Sequence, residues 1–564
     1  MLPAYALALS LSVTGPLLGP GYLLLRDAVS TPRSYLTDVA LGLTEAAPRA
    51  LPQDFLVALT STVLDGGIVV KVLLVAGLWL AGWGAARLAS TVMEAGLPGQ
   101  FIAATLAIWN PYVAERLLQG HWSLLVGYGC LPWVAACVLR LRVGAGSHSG
   151  AVWGLLFWIA LAGLTPTGLM LAATVALVCV AAPGDGWRRL RVAALALGTS
   201  VLAAMPWLVA AAVGSAVSSP VSAAGVNAFA ARAEPGLSTL GSLAGLGGIW
   251  NGEAVPSSRT TLFAVVATVV LVGVVALGLP AVMRNRRAVP LLILAAAAVL
   301  IPAAMATGPG LAFVDATIRA VPGLGVVRDG QKWVALAMPG YVVAAAAAPI
   351  TVRRLGLPMP ASAAVACAAL IAVLPDLAWG VGNQMRAVQY PPGWTAAATA
   401  INADPRPVAV LPPDSMRSFY WAGAAPVLDP LPRWLRAEVL STGDLVIGGQ
   451  VVPGEGTRAR EVQDLMRSGA DRQTMADAGV GWLVVETNGV PAELDLPVAY
   501  RDADVALYRI GGDHRASPHR NMLIAAHLVW LLAVVGGAVG MAAGCIFAGS
   551  GVRGFKVNGH RPAE

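Results

Sequence analysis

Charge is what this sequence has least of. Only 12% of its 564 residues are Asp, Glu, Lys or Arg, about half the share found in soluble domains, and that shortfall excludes a soluble enzyme, a coiled coil and a disordered chain. Histidine is scarce too, with 6 in all, and His148, His514, His519 and His560 sit in polar loops or tails, so no zinc spacing emerges. The five cysteines, Cys130, Cys137, Cys179, Cys367 and Cys545, all fall in apolar stretches. None lies where an oxidising compartment would favour pairing, and no disulfide framework is expected. Walker and dinucleotide glycine signatures are missing. A basic n-region and a small-residue cleavage motif are also missing around the first apolar stretch, which therefore reads as a retained helix rather than a removed signal peptide.

What remains is apolar. Hydrophobic residues make up 57% of the chain and the mean hydropathy is +0.71. Crossing about 30 Å of hydrocarbon takes roughly 20 apolar residues, and twelve stretches approach that length, near 5–25, 68–88, 100–118, 123–140, 151–166, 167–183, 192–213, 260–281, 288–305, 333–350, 358–378 and 521–548. They are continuous rather than alternating, which excludes an outer-membrane barrel. The net charge of +7 is no sign of nucleic-acid binding, because the cations punctuate alternate loops. With both termini cytoplasmic, Arg87, Arg140, Arg142, Arg188, Arg189, Arg191, Arg284, Arg286, Arg287, Arg353, Arg354, Arg553, Lys556 and Arg561 all fall inside, as the positive-inside rule requires. Lys71, within the second span, is expected to snorkel outward.

The expected fold is thus an all-α polytopic membrane protein of about twelve transmembrane helices, located in the plasma membrane, with a small extracytoplasmic α/β domain near the C-terminus. Residues 1–379 form the transmembrane module, with long outer loops at 27–67, 214–259 and 306–332. Residues 380–520 form the α/β domain, 521–548 a final helix and 549–564 a basic cytoplasmic tail. Within 380–520 the chain turns polar and proline-rich, with short β-like runs at Pro407–Leu411, Gly481–Glu486 and Val505–Arg509 and polar helices between Gly456 and Ala478. That length can bury a core of its own. A lid or structural role and glycan binding are both open for it.

Ionisable residues at the ends of spans cost ~2.5 kcal/mol or more to bury and are kept where a cavity or partner receives them. Four groups on the outer side meet that test. Arg26 and Asp27 follow the first span, with Asp38, Glu45, Asp54 and Asp65 beyond. Asn110, Tyr112, Glu115, Arg116, His121 and Trp122 occupy the turn between spans three and four. Asn227, Arg232, Glu234, Trp250, Asn251 and Glu253 form a third group, and Arg328, Asp329, Gln331, Lys332 and Trp333 a fourth. Acids at one corner with Arg, Lys and His at others suit a reaction that deprotonates a hydroxyl while stabilising a departing phosphate, which describes glycosyl transfer from a lipid phosphate. Structural readings compete with this one. Arg26 and Asp27 can be an interfacial pair, Asn110-Pro111 a helix breaker, Glu115 and Arg116 loop anchors, and Tyr112, Trp122 and Trp333 members of an interfacial aromatic belt.

Asp27 and Asp38 in the first loop, Trp109–Val113 followed by Leu131-Pro132-Trp133, and the Arg328–Lys332 segment together resemble the GT-C class of polyprenyl-phosphate-dependent glycosyltransferases, in particular the actinobacterial cell-wall arabinofuranosyltransferases. The resemblance covers roughly 1–350. It implies a first-loop acid as base, best matched by Asp27 and next by Asp38, a polyprenyl-phosphate sugar donor entering from the outer leaflet, and a glycan or glycolipid acceptor. Arg26, Asn110, Tyr112, Glu115, Arg116, His121, Trp122, Arg328 and Lys332 would then surround donor and substrate. Many members carry two adjacent first-loop acids. Here the two are separated, so a divalent cation at these acids stays open as an alternative and no cofactor is assigned. Arabinofuranose is the expected sugar and mannose the second. A flippase for lipid-linked sugars is the rival from another class, against which stands the lack of an internal repeat; a non-catalytic scaffold is the third.

Overall fold

The computed structural model describes residues 1–44, 50–144, 148–214, 223–321, 324–354, 356–447, 449–487, 494–513 and 517–551. Glu45, His514, the Cys545 side chain and the basic tail beyond 551 lie outside them.

A helix occupies each of the twelve expected stretches, but fewer have the length of a membrane span. Six are long and apolar enough by themselves: Gly66–Met93, Trp122–Val143, Arg189–Val213, Phe263–Val282, Gly330–Arg353 and Arg520–Gly544. The number rises to eight if two bent pairs each count once, Val289–Met305 with Gly308–Ala320 at 92° and Met359–Ala372 with Pro375–Asn383 at 73°. Leu2–Leu18, His148–Ala162 and Pro166–Cys179 are apolar but shorter. Trp122–Val143 is the axle of the bundle and almost wholly enclosed. It approaches Gly66–Met93 through glycines: a Cβ on Gly77 would sit 2.9 Å from Val126 Cα, and one on Gly129 would collide with the Gly77 carbonyl oxygen. Close backbone approach of this kind is how helices associate where lipid removes the hydrophobic drive.

Two of the breaks within expected spans shape the site. The first, read as 5–25, is helical only over Leu2–Thr14 and a 3-10 turn at Gly15–Leu18. Gly19-Pro20-Gly21, with Gly21 at φ 119°, ends the helix, and Tyr22–Leu25 continues as a strand. The Lys71 ammonium meets the Gly19 carbonyl at this break, at 2.6 Å. The third span divides into Leu97–Ile108 and Pro111–Leu118, because Pro111 cannot donate and Asn110 caps the new helix, its Oδ1 accepting from Val113 N at 3.1 Å.

The C-terminal unit follows from period-two burial. Its sheet runs, in spatial order, Val498–Arg501, Val505–Arg509, Trp482–Glu486, Val408–Leu411, with the last pair parallel and the others antiparallel. Val408, Val410, Trp482, Val484, Val505 and Leu507 face one core with Trp394 and Ile401. Ala409, Leu483, Val485, Ala506 and Tyr508 face another with Val462 and Met475. Such alternation lets one sheet be covered on both sides. The helices Thr457–Arg467 and Arg472–Asp477 stand where polar helices were expected. Leu24, Val29 and Val388 join the first of these cores, while Leu23, Leu25 and Ala28 pack into the helical body, so the hairpin after the broken first helix is shared between the two.

Candidate active site

Asp27 owes its position to a tight hairpin. Tyr22–Leu25 pairs with Ala28–Val29, Leu25 opposite Ala28, leaving Arg26 and Asp27 as the connecting residues. Such short loops demand positive φ, normally from Gly or Asn, yet Arg26 supplies it at 48°. The strain is held from both sides. Arg26 N donates to Pro426 O and Leu428 N to Arg26 O, each at 2.9 Å, while the Arg26 guanidinium donates to the carbonyls of Leu118 (2.7 Å) and Glu253 (2.8 Å). Arg26 is thereby a clamp between the helical body and the C-terminal unit.

Below the hairpin lies the turn Gln119-Gly120-His121. Gly120 has φ 86°, and a Cβ there would collide with Ala28 N and crowd Leu25 O. Asp27 N donates to Gln119 O at 3.1 Å, and Gln119 Nε2 returns a bond to Asp27 Oδ2 at 3.1 Å. Asn251 Nδ2 donates to Gln119 Oε1 at 2.8 Å, which orients that amide. His121 Nε2 lies 2.9 Å from the same Asp27 Oδ2, and its Nδ1 lies 3.1 Å from Arg116. Arg116, with 0% of its side chain exposed, grips both oxygens of Asp329 at 3.0 and 3.1 Å and also Gln331. Lys332 Nζ stands 3.6 Å from Asp329, and Tyr112 OH donates to Lys332 O at 3.2 Å.

Most of these groups border a cleft of about 1660 Å³, with Arg116, Gln331 and Tyr112 outside its lining. Asp27, His121, Trp122, Arg328, Lys332 and Arg26 line it together with residues 413–467 of the C-terminal unit. A third of the Asp27 side chain (35%) and a quarter of Lys332 (24%) are exposed there. Burial alone would raise the Asp27 pKa, but hydrogen bonds from His121 and Gln119 and the Lys332 charge hold the carboxyl below the usual carboxylate range. Burial pushes the His121 imidazole below its ordinary value, helped by Lys332 and Arg116 against the pull of Asp27. Arg116 and Lys332 more than offset burial at Asp329, which stays ionised well below the usual range.

Of the expected site residues, the remaining five stand elsewhere. Asp38 is not beside Asp27: its carboxylate is taken by Arg520 and by Ser517 N at 3.2 Å, which ties the first loop to the final helix. Asn110 is spent on its cap and on Leu106 O and Tyr128 OH. Tyr112 is buried behind the cleft against Tyr128, ring centroids 5.3 Å apart. Glu115 is buried too, accepting from Gly248 N, Ile249 N and Gln331 Nε2 at 3.0–3.1 Å. Arg116 is buried and paired with Asp329, outside the cleft lining. Gln119 and Gly120, which lie between named residues, were missed altogether, and Asp329 was named in the fourth group but given no role at the site. A divalent cation finds little to bind, since Asp27 faces N–H donors and a cation rather than a second acid. Among the described residues no three of His, Cys, Asp or Glu converge.

The fold has a solved counterpart. The fold is similar to that of the arabinofuranosyltransferase AftD from Mycobacteria, a mutant solved by cryo-EM, with TM-score 0.55 and 19% identity over 91% of this chain and 42% of that chain. A second class of the same mutant gives TM-score 0.49 and 16% identity, over 91% and 41%. This chain therefore spans less than half the length of AftD, and the likeness is one of fold. The resemblance to actinobacterial arabinofuranosyltransferases expected from the sequence is thus present in the three-dimensional arrangement. No protein-family model and no curated protein matches the sequence.

Proposed function

We propose that this chain is a GT-C-type membrane glycosyltransferase that moves a sugar, arabinofuranose before mannose, from a polyprenyl-phosphate donor to a cell-envelope glycan or glycolipid on the outer face of the plasma membrane. The observation that carries the reading is Asp27 itself, an accessible carboxylate kept ionised by its hydrogen bonds and by Lys332, in a cleft that Arg328 also lines. Asp27 takes the proton of an acceptor hydroxyl. The hydroxyl oxygen attacks the anomeric carbon, and the bond from that carbon to the phosphate oxygen breaks with inversion. Lys332 and Arg328 neutralise the departing lipid phosphate, so it needs no proton. The separation of roles is favourable because the base and the phosphate-facing cations come from segments far apart in the chain and meet only in the fold.

The same cleft supports the proposed topology. Residues from the first loop, from 229–253, from 318–332 and from the C-terminal unit border it together, as they should if 27–67, 214–259, 306–332 and 380–520 share the extracytoplasmic side. The C-terminal unit then acts as a lid over the substrates. Incubating purified protein with labelled polyprenyl-phosphate arabinose and an arabinan acceptor tests the proposal: a new glycosidic product that disappears in Asp27→Asn supports it, and movement of donor across a vesicle without product would instead identify a flippase.

A further inference from the structure

His121 is the one expected phosphate ligand whose ring is committed on both nitrogens. Nδ1 faces Arg116 at 3.1 Å, and Nε2 faces Asp27 Oδ2 at 2.9 Å. A guanidinium has five N–H donors and no acceptor, so the nitrogen against it must offer a lone pair. The proton of a neutral imidazole is then confined to Nε2, where a carboxylate oxygen receives it. Arg116 cannot relax its demand by turning away, because Asp329 and Gln331 hold the rest of its fork in a fully buried setting. The main chain that carries the ring is fixed as well, the His121 backbone N–H donating to Arg116 O at 2.8 Å.

We infer that His121 is a positioning residue whose tautomer is locked by Arg116, so that it always donates to one oxygen of Asp27 and leaves the other to take the acceptor's proton. Both neighbouring donors, His121 and Gln119, land on Oδ2, and no donor among the described residues is assigned to Oδ1. A second proton on His121 would point an N–H at Arg116, with Lys332 also adding repulsion, while Asp27 and Asp329 are the acids nearby that oppose it. The histidine therefore neither shuttles protons nor contributes a charge to the donor phosphate. This rests on the reading of Asp27 as base for its consequence in catalysis, but not for the lock itself.

Two measurements on the full chain separate these points. Glutamine carries an acceptor and a donor on one amide, and can satisfy Arg116 and Asp27 at once. His121→Gln is therefore expected to retain most of the transfer rate with its acid limb in place, whereas His121→Ala loses about 10²-fold and its acid limb moves to higher pH because Asp27 has lost a donor. Glutamine as damaging as alanine would overturn the inference. In protein labelled with 15N-histidine, the signal missing from His121→Gln should report a neutral ring protonated at Nε2 at neutral pH; a cationic ring or an Nδ1–H tautomer would overturn it. If Asp27→Asn leaves transfer intact, the base assignment fails while the labelled spectrum still decides the lock.

Discussion

Asp27 and Asp38 leave the same first loop, and in the sequence they are interchangeable candidates for one role. In the fold they part company. Asp38 meets the full cationic charge of Arg520 at the foot of the final helix. Asp27 meets an imidazole, an amide and, at longer range, an ammonium, in a cleft of about 1660 Å³. The lesson is that a carboxylate closed by an arginine is a fastening, whereas one held by neutral donors keeps its charge and one oxygen for chemistry. Asp329 is the extreme of the first kind: it is 5% exposed and bridged twice by Arg116.

The sharpest way to break this comparison is Asp27→Asn. Loss of a general base costs about 10²- to 10⁴-fold in rate, with the unfolding midpoint little changed because the amide keeps the shape. Turnover within tenfold of the parent in a product-release assay would place the base elsewhere. Next comes Asp329→Ala, which leaves Arg116 buried and unpaired at a cost of about 3–5 kcal/mol. It should appear as a lower melting temperature in detergent. The pH dependence has the matching sign. Because the folded Asp329 carboxyl lies below its unfolded value, its stabilisation is complete above pH ~4 and fades as the pH falls through the folded value. Gly120→Ala follows, since a Cβ there drives against the Asp27 hairpin; a shift of about 1 Å in the base is worth about 10²-fold in kcat, with KM for the lipid donor nearly constant.

Much of this site was legible because burying charge is expensive: the rule that ionisable residues at span ends have a purpose led to Asp27, His121, Arg328 and Lys332, which all line one cleft. The β-runs of the C-terminal unit were legible for a different reason, their apolar residues being contiguous and bounded by Pro and Gly. Partners were not legible. Arg116 and Lys332 look alike in sequence, each a cation near acids and aromatics, and only the tertiary pairing with Asp329 buries one and exposes the other. Gln119 went unnoticed because a neutral amide costs less to bury and raises no flag. The first span was read too long for a physical reason: Leu23-Leu24-Leu25 is as apolar as a helix in lipid, but its burial comes from a strand wedged between two cores, Leu23 and Leu25 facing the helical body and Leu24 the C-terminal unit.

The smallest effect belongs to Asp38→Asn, and it tests the comparison from the opposite side. The Asp38–Arg520 pair is partly exposed, 25% and 33% of the two side chains, so solvent screens it and its contribution to stability should be about 0–1 kcal/mol. Transfer should be unchanged, since neither the Asp27 oxygens nor the Lys332 side borrows anything from Asp38. A rate loss approaching that of Asp27→Asn, at unaltered melting temperature, would mean that the first loop does bring its two acids together during turnover, and that the arginine is a partner Asp38 leaves when substrate binds.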